Sequence, residues 1–126
     1  MPLSSEARDR VRAFLQPGEE LRYLFPASSV GLGRGITGVA PFLVAVSDTH
    51  ITVLSCEWLR RHRPASVWAR CPRATRLGPV DTSMAPTLEI GDLVLEIDEE
   101  YLAVVQAADA ELDGTDQLPP DPLPDL

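Results

Sequence analysis

Six arginines fall between Arg60 and Arg76, the densest group of ligand-binding side chains in the chain. They are Arg60, Arg61, Arg63, Arg70, Arg73 and Arg76, and they are interleaved with His62, Trp58 and Trp68. Guanidinium groups bind phosphate or carboxylate through paired hydrogen bonds, and aromatic rings stack on bases or on guanidinium planes. The cluster indicates an anion, an acidic partner or a nucleic acid, or else arginines that are hydrated or paired with acids of this chain.

The distribution of charge favours the last of these interpretations. The 126-residue chain has a formal net charge of −8, and residues 81–126 contain thirteen acids and no base. Nucleic-acid binders are normally basic overall, so we expect no nucleic acid. The negative net charge also opposes docking on an anionic membrane, although a local basic patch acts over a Debye length of about 8 to 10 Å. Arg34 would assist such a patch.

The sequence offers no assembled reactive site. The chain contains no lysine and no GxSxG motif, and His50 and His62 are not spaced as a metal pair. Asp48 and His50 could form a base and its orienting group, but both belong to a predicted turn, where such residues usually stabilise the hairpin. We therefore expect a non-catalytic protein with no metal and no cofactor.

Two other features could suggest chemistry. The glycine-rich segment 28–38 has neither a GxGxxG frame nor a following GK[ST] sequence, so it is interpreted as a loop between strands. Cys56 and Cys71 lack CxxC spacing and are too few for a disulfide framework, which favours free thiols over a single bridge. Neither feature changes the expectation of a non-catalytic chain.

The element that must position these residues is a central β-hairpin, Pro41 to Cys56. Its first arm is almost entirely apolar, its second arm alternates, and Ser47, Asp48 and Thr49 are turn formers between them. In a preceding strand, Glu20 to Pro26, the alternation places Leu21, Tyr23 and Phe25 on one face. The hairpin predicts an antiparallel sheet.

The remaining elements follow from similar patterns. A helix is predicted from about Ser5 to Leu15, and Pro17 and Gly18 end it. Ser66 to Arg70 and Ala74 to Leu77 are predicted as a fourth and a fifth strand. Residues 87–90 and 93–98 are predicted as strands six and seven, and Gly91 and Asp92 join them, since glycine supplies the positive φ of a tight hairpin turn. A C-terminal helix follows, with an apolar stripe of Tyr101, Val105, Ala108 and Leu112.

The chain has the length of one domain. Residues 1–15 are assigned to the N-terminal helix, 16–113 to the domain, and 114–126 to an acidic, proline-rich tail expected to be disordered or extended. The tail could also dock as a polyproline ligand. With no apolar run long enough for a signal peptide or a membrane span, we expect a cytoplasmic protein. All eleven Lys and Arg positions are arginine. Because lysine has AT-rich codons, this choice indicates a high-GC, bacterial genome.

Seven strands followed by one helix resemble the pleckstrin-homology (PH) superfold, and bacterial PH-like and GRAM-like domains in particular. The resemblance is carried by LQPGEE at residues 15–20, similar to an L-x-P-G-E step, and by VAVSDTHITV at residues 44–53, similar to V-x-V-T-D followed by a strand. It implies a mainly β fold of about seven antiparallel strands in two orthogonal sheets, capped by the C-terminal helix. It covers about residues 15–112.

The resemblance and the absent reactive site together suggest a non-catalytic interaction module. Such a module would bind a protein or peptide partner along a sheet edge or at the open barrel end, and could self-associate. The alternative is binding of an anion or an anionic lipid headgroup through Arg60, Arg61, Arg63 and Arg70, with Trp58, Trp68 and Arg34 nearby. Lipid-binding PH domains carry several cationic residues in the loop after the first strand, whereas this loop carries only Arg34.

Overall fold

The computed structural model describes residues 5–29, 40–57, 62–78, 80–83, 85–91 and 93–117, with side chains as far as residue 112. The elements in chain order are helix α1 (Ser5–Arg12), strands β1 (Leu21–Ser29), β2 (Pro41–Ser47), β3 (His50–Cys56), β4 (Pro64–Pro72), β5 (Thr87–Ile90) and β6 (Leu93–Glu96), a 3₁₀ turn (Glu99–Tyr101) and helix α2 (Leu102–Gln117).

The strands of the described chain form one curled antiparallel sheet, a half-barrel, in the order β4-β3-β2-β1-β6-β5. The mainly β class and both helices are confirmed. Six strands are present in the described residues rather than the predicted seven, because Ala74 to Leu77 forms turn and coil instead of a strand. The division into two orthogonal sheets and the PH-like assignment stay predictions.

The central hairpin is confirmed, with β2 and β3 paired from Phe42 opposite Ser55 to Val46 opposite Ile51. Every residue of β2 is buried, which explains its unbroken apolar pattern. A strand has an unbroken apolar sequence when both faces of its sheet are covered. Here α1 lies on one face and α2 on the other, so the sheet is the middle layer of the protein.

Two hydrophobic clusters occupy these faces. On the α2 face, Phe25, Val44, Val53 and Leu95 pack with Val105 and Ala108 of the helix. On the α1 face, Ala7 and Val11 pack with the side chains of Leu24, Leu43, Ala45 and Leu54. Burial of apolar area of this kind contributes about 25 cal/mol per Å² removed from water, which makes both helices integral to the fold.

The prediction for Leu21 was wrong. Alternation placed it beside Tyr23 and Phe25, but the β1–β2 register shifts between Leu21 and Tyr23. This irregularity moves Leu21 to the α1 face, where it packs with the α1 cluster, while Tyr23 and Phe25 remain on the α2 face. A bulge adds one residue to a strand and so reverses the alternation beyond it.

The second hairpin is confirmed: Thr87 lies opposite Glu96, Ile90 lies opposite Leu93, and Gly91 has a φ of +63°. Its outer strand β5 is partly covered, because the backbone N–H and C=O of Asp81 both bond to Thr87, at 2.7 and 3.0 Å. Three of the four residues of the predicted C-terminal stripe are buried: Tyr101, which lies in the 3₁₀ turn, and Val105 and Ala108 of α2. Leu112, the fourth, is half-buried.

The ends of the two helices differ from prediction. Helix α1 ends at Arg12 and continues as a turn toward Leu15, and α2 runs to Gln117, past the expected boundary at residue 114. Residues 118–126, the rest of the predicted tail, lie outside the described residues. Within the described chain, no helix combines the length and the apolar character that crossing a membrane requires.

Candidate interaction surface

Of the seven predicted site residues, only Arg63, Arg70 and Trp68 lie within the described residues. Arg34, Trp58, Arg60 and Arg61 lie outside them. Arg63 precedes β4, whereas Arg70 and Trp68 belong to it.

Arg63, Arg70 and Arg73, three described arginines of the predicted cluster, do not form a common patch. Arg63 Nε lies 3.1 Å from a carboxylate oxygen of Glu57, and Arg70 extends to the α1 face, 2.8 Å from Glu19. Arg73 extends to the opposite face, where it donates to the Ala108 carbonyl at 2.8 Å and to the Glu111 carboxylate at 3.1 Å. Each of these guanidinium groups already has a carboxylate partner within the chain.

Arg73 belongs to a polar cluster that attaches α2 to the sheet. Tyr23 donates its hydroxyl hydrogen to Glu111 at 2.7 Å, and Arg22 lies 3.7 Å from the same carboxylate. The hydrogen bond from Tyr23 is the main cause that lowers the pKa of Glu111, while this bond and burial raise the pKa of Tyr23. The cluster thus holds an ionised carboxylate of α2 against β1 and against the turn that follows β4, and so attaches the helix to the sheet.

Glu19 is the centre of a second polar cluster, on the α1 face. Its side chain is only 2% exposed and accepts hydrogen bonds from the Ser47 hydroxyl, from the Gln16 N–H at 2.8 Å and from Arg70 at 2.8 Å. Burial alone would raise the pKa of Glu19, but the bonds from Ser47, Gln16 and Arg70 outweigh burial and lower it. The carboxylate is therefore held ionised inside the protein.

These contacts join the two short motifs on which the family resemblance was based. Glu19 ends the LxPGE segment, and Ser47 and Asp48 belong to the VxVSD segment. Besides the Glu19–Ser47 bond, the Glu20 N–H donates to the Asp48 carboxylate at 2.9 Å, and the Asp48 N–H donates to the Glu20 carbonyl at 3.0 Å. The motifs therefore fasten the β2–β3 turn to the segment that precedes β1.

Asp48 and His50, the candidate base and orienting group of the sequence, have other partners in the structure. The Asp48 carboxylate accepts the Glu20 N–H, and His50 Nδ1 lies 3.0 Å from the Thr49 hydroxyl and 3.9 Å from Glu19. Both side chains serve the turn. Cys56 and Cys71 are free, and burial, followed by the Glu57 charge, raises the pKa of Cys56 to about 12, which keeps that thiol protonated at neutral pH.

Strand β4 is an edge of the sheet with apolar side chains in the open. It pairs with β3 on one side, and no described strand pairs with its other side. Val67 is 43% exposed and Trp68 is 39% exposed, the large apolar side chains that the described part of the chain leaves uncovered. Exposed apolar residues at an unpaired edge are typical of an interaction site.

Val67 and Trp68 lie on opposite faces of the sheet. Val67 is opposite Leu54, which belongs to the α1 face, whereas the Trp68 ring meets the ring of Phe42 on the α2 face edge-to-face at 5.5 Å. Trp68 is also the extra residue of a register shift between Val53 and Leu54. A strand added beside β4 would therefore meet an apolar side chain on each of its faces.

Prolines limit the length of edge that can be paired. Pro64 and Pro72 end β4, and proline has no N–H to offer to a ladder. The Arg73 N–H donates inward to Thr49, so alternation turns the nitrogen of Pro72 to the outer side. The free edge is thus confined to residues 65–71, which discourages extended edge-to-edge aggregation.

A cleft of about 250 Å³ begins beside the Trp68–Phe42 contact. Its lining consists of Pro26, Ala27, Ser28, Pro41, Phe42, His62, Glu96 and Asp98. This volume lies below the range of about 300 to 1,000 Å³ typical of small-molecule sites, so the cleft suits a single side chain. Sequence analysis missed it, because its lining residues come from segments distant in the chain.

A larger cleft of about 400 Å³ lies beside β5, lined by Leu77, Gly78, Asp81, Thr87, Leu88, Glu89 and Val94. The carboxylate of Asp81 is occupied there by the N–H and hydroxyl of Ser83, at 3.0 and 2.7 Å. None of these described lining residues is aromatic. It therefore offers fewer groups for recognition than the cleft beside Trp68.

Comparisons with known proteins add no family to this description. No protein-family model matches the chain, and neither a curated protein nor a solved structure is significantly similar to it.

Proposed function

We propose that this chain is a protein-interaction module of the PH-like type, and that the edge of β4 binds an extended segment of a partner protein. The observation that carries the proposal is the exposure of Val67 and Trp68 on opposite faces of β4, whose outer edge is paired by no described strand. Addition of a strand to such an edge supplies main-chain hydrogen bonds, and neighbouring side chains supply specificity.

The architecture supports the PH-like part of the proposal. A curled antiparallel sheet is packed against a C-terminal helix, and the segments that resemble the family, around Glu19 and around Ser47, contact each other. In that arrangement the helices cover both faces of the sheet, so a partner has access to an edge.

The apolar contact of Trp68 is large enough to matter for affinity. A tryptophan side chain offers roughly 250 Å², and with 39% of the residue exposed a partner could cover roughly 100 Å² of it. At about 25 cal/mol per Å² this area contributes about 2 kcal/mol, or a factor of about 30 in Kd. Loss of this contact is therefore readily measured.

The full-length protein should be panned against a displayed library of random nine-residue peptides. An enriched peptide, labelled for fluorescence anisotropy, should bind Trp68→Ser about 30-fold more weakly than the wild type. Val67→Lys places a charge on the same edge and should weaken binding at least as much. The control Thr82→Lys adds the same charge at an exposed loop residue and should bind as the wild type does.

Two outcomes of the panning would overturn the proposal. Either the library yields no enriched peptide, or the enriched peptides bind the wild type and Val67→Lys with the same affinity. Sedimentation of the protein alone is the second measurement: a dimer that Val67→Lys dissociates would assign this edge to a second copy of the chain. Anionic vesicles that bind the protein through Arg63 would favour the alternative of headgroup binding, which the pairing of Arg63 with Glu57 disfavours.

A further inference from the structure

Among the described residues, the unpaired charges of the cleft beside Trp68 have the opposite sign to that of the arginine-rich sequence. Arg63 and Arg73, the described arginines closest along the chain to the two ends of β4, are paired with Glu57 and Glu111. In the adjoining cleft, Glu96 and Asp98 are exposed, and neither carboxylate has an ion-pair partner among the described residues. The uncompensated charge of the described cleft is therefore negative.

The cleft is continuous with the proposed binding edge. Phe42 forms part of its lining and also contacts the Trp68 ring, with the two ring centroids 5.5 Å apart. Pro26 and Pro41 extend the apolar part of the lining, and His62 lies at the end from which β4 begins. The lining thus combines apolar residues, one of which contacts Trp68, with two carboxylates.

We propose that the partner segment is basic, and that it places an arginine or lysine side chain in this cleft. The inference rests on the proposed function, since it concerns the segment bound at β4. The aliphatic stem of the side chain packs on Phe42 and the prolines, and its cationic head reaches Glu96 and Asp98. A cleft of about 250 Å³ accepts one such side chain.

One extended peptide can reach both the outer edge of β4 and the cleft at Phe42. Strands of a sheet lie about 4.8 Å apart, so the backbone of a segment paired outside β4 lies about 14 Å from the backbone of Phe42 on β2, three strands away. An extended chain covers about 3.3 Å per residue, so about five residues span this separation. A peptide that leaves the β4 edge beside His62 would bring its next few residues over the cleft.

The test uses the peptides enriched on the full-length wild-type protein. Arginine and lysine should be enriched over aspartate and glutamate relative to the unselected library. The double variant E96Q/D98N should weaken binding of an enriched basic peptide about fivefold, as expected for two partly hydrated ion pairs. This loss should shrink when NaCl rises from about 50 to 300 mM, because salt screens exposed charges.

A matched control removes the influence of net charge. The variant E20Q/E89Q lowers the negative charge by the same amount at exposed residues outside the cleft lining, and it should bind the peptide as the wild type does. Equal affinities of the two double variants, or no enrichment of basic residues, would overturn the inference. If enriched peptides in that case still bound Val67→Lys more weakly than the wild type, the proposed function would stand without the inference. Absence of any peptide binding would overturn both the proposed function and the inference.

Discussion

The replacement Glu19→Gln tests whether the buried carboxylate holds the β2–β3 turn in place. The substitution keeps the size of the side chain but removes its charge, so the guanidinium of Arg70, 2.8 Å away, loses its ionic partner. Arg70 is only 24% exposed and Glu19 is 2% exposed, which makes this an interior pair. We expect a clear loss of stability without loss of the fold.

The magnitude follows from the contacts. Removing one partner of a buried ion pair costs about 3 to 5 kcal/mol. Two features of this site reduce that cost: Arg70 retains access to water, and the glutamine carbonyl can still accept a bond from Ser47 or from the Gln16 N–H. We therefore expect a loss of about 2 kcal/mol, a large part of the roughly 5 to 15 kcal/mol that stabilises a domain.

Urea unfolding followed by circular dichroism measures this loss, with linear extrapolation to water. The matched control is Glu20→Gln, at the adjacent residue. Its side chain is 73% exposed and lies 4.0 Å from Arg22, so the control should change stability by less than about 0.5 kcal/mol. Equal stabilities of the two variants would refute the reasoning.

The pH dependence provides an independent check. The pKa of Glu19 is lowered from its ordinary value of 4.5 in the folded protein. A group of this kind stabilises the fold above its unfolded pKa, and the contribution is lost as the pH falls through the folded pKa. The difference between wild type and Glu19→Gln should thus be constant from about pH 7 to 5 and decrease below 4.5. A difference that persists unchanged in acid would contradict the assignment.

Three further substitutions test the fold. Thr52→Val should stabilise the protein by about 1 kcal/mol, because the buried Thr52 hydroxyl has no hydrogen-bond partner in the described chain, while the control Thr52→Ser should destabilise it. Asp109→Ala should cost about 2 kcal/mol, since its carboxylate accepts the N–H groups of Leu77 and Gly78 at 2.9 and 2.8 Å, and Asp109→Asn should recover part of this. Gly91→Ala should cost about 1 kcal/mol, owing to the positive φ rather than to a clash. Urea unfolding measures all three, and a change of opposite sign would contradict the corresponding contact.

Local patterns in the sequence were sufficient for much of the fold. The alternation of Ile51 and Val53, the unbroken apolar run of β2 and the Gly91 turn each depend on neighbouring residues, and the structure contains all three features. The reversal at Leu21 was not predictable in this way. It depends on the register of β1 against β2, which is a property of two strands and not of one.

Arg63, Arg70 and Arg73 of the arginine cluster form ion pairs within the folded protein instead of a shared anion-binding patch. Composition alone determined that residues 57–80 are basic and that acids are available to pair with them. Only tertiary structure decided which acids pair, because successive residues of a strand point to opposite faces: Arg70 meets Glu19 on one face and Arg73 meets Glu111 on the other. The same packing brought Phe42, Glu96 and Asp98 into one cleft beside Trp68, a juxtaposition that their spacing along the chain does not encode.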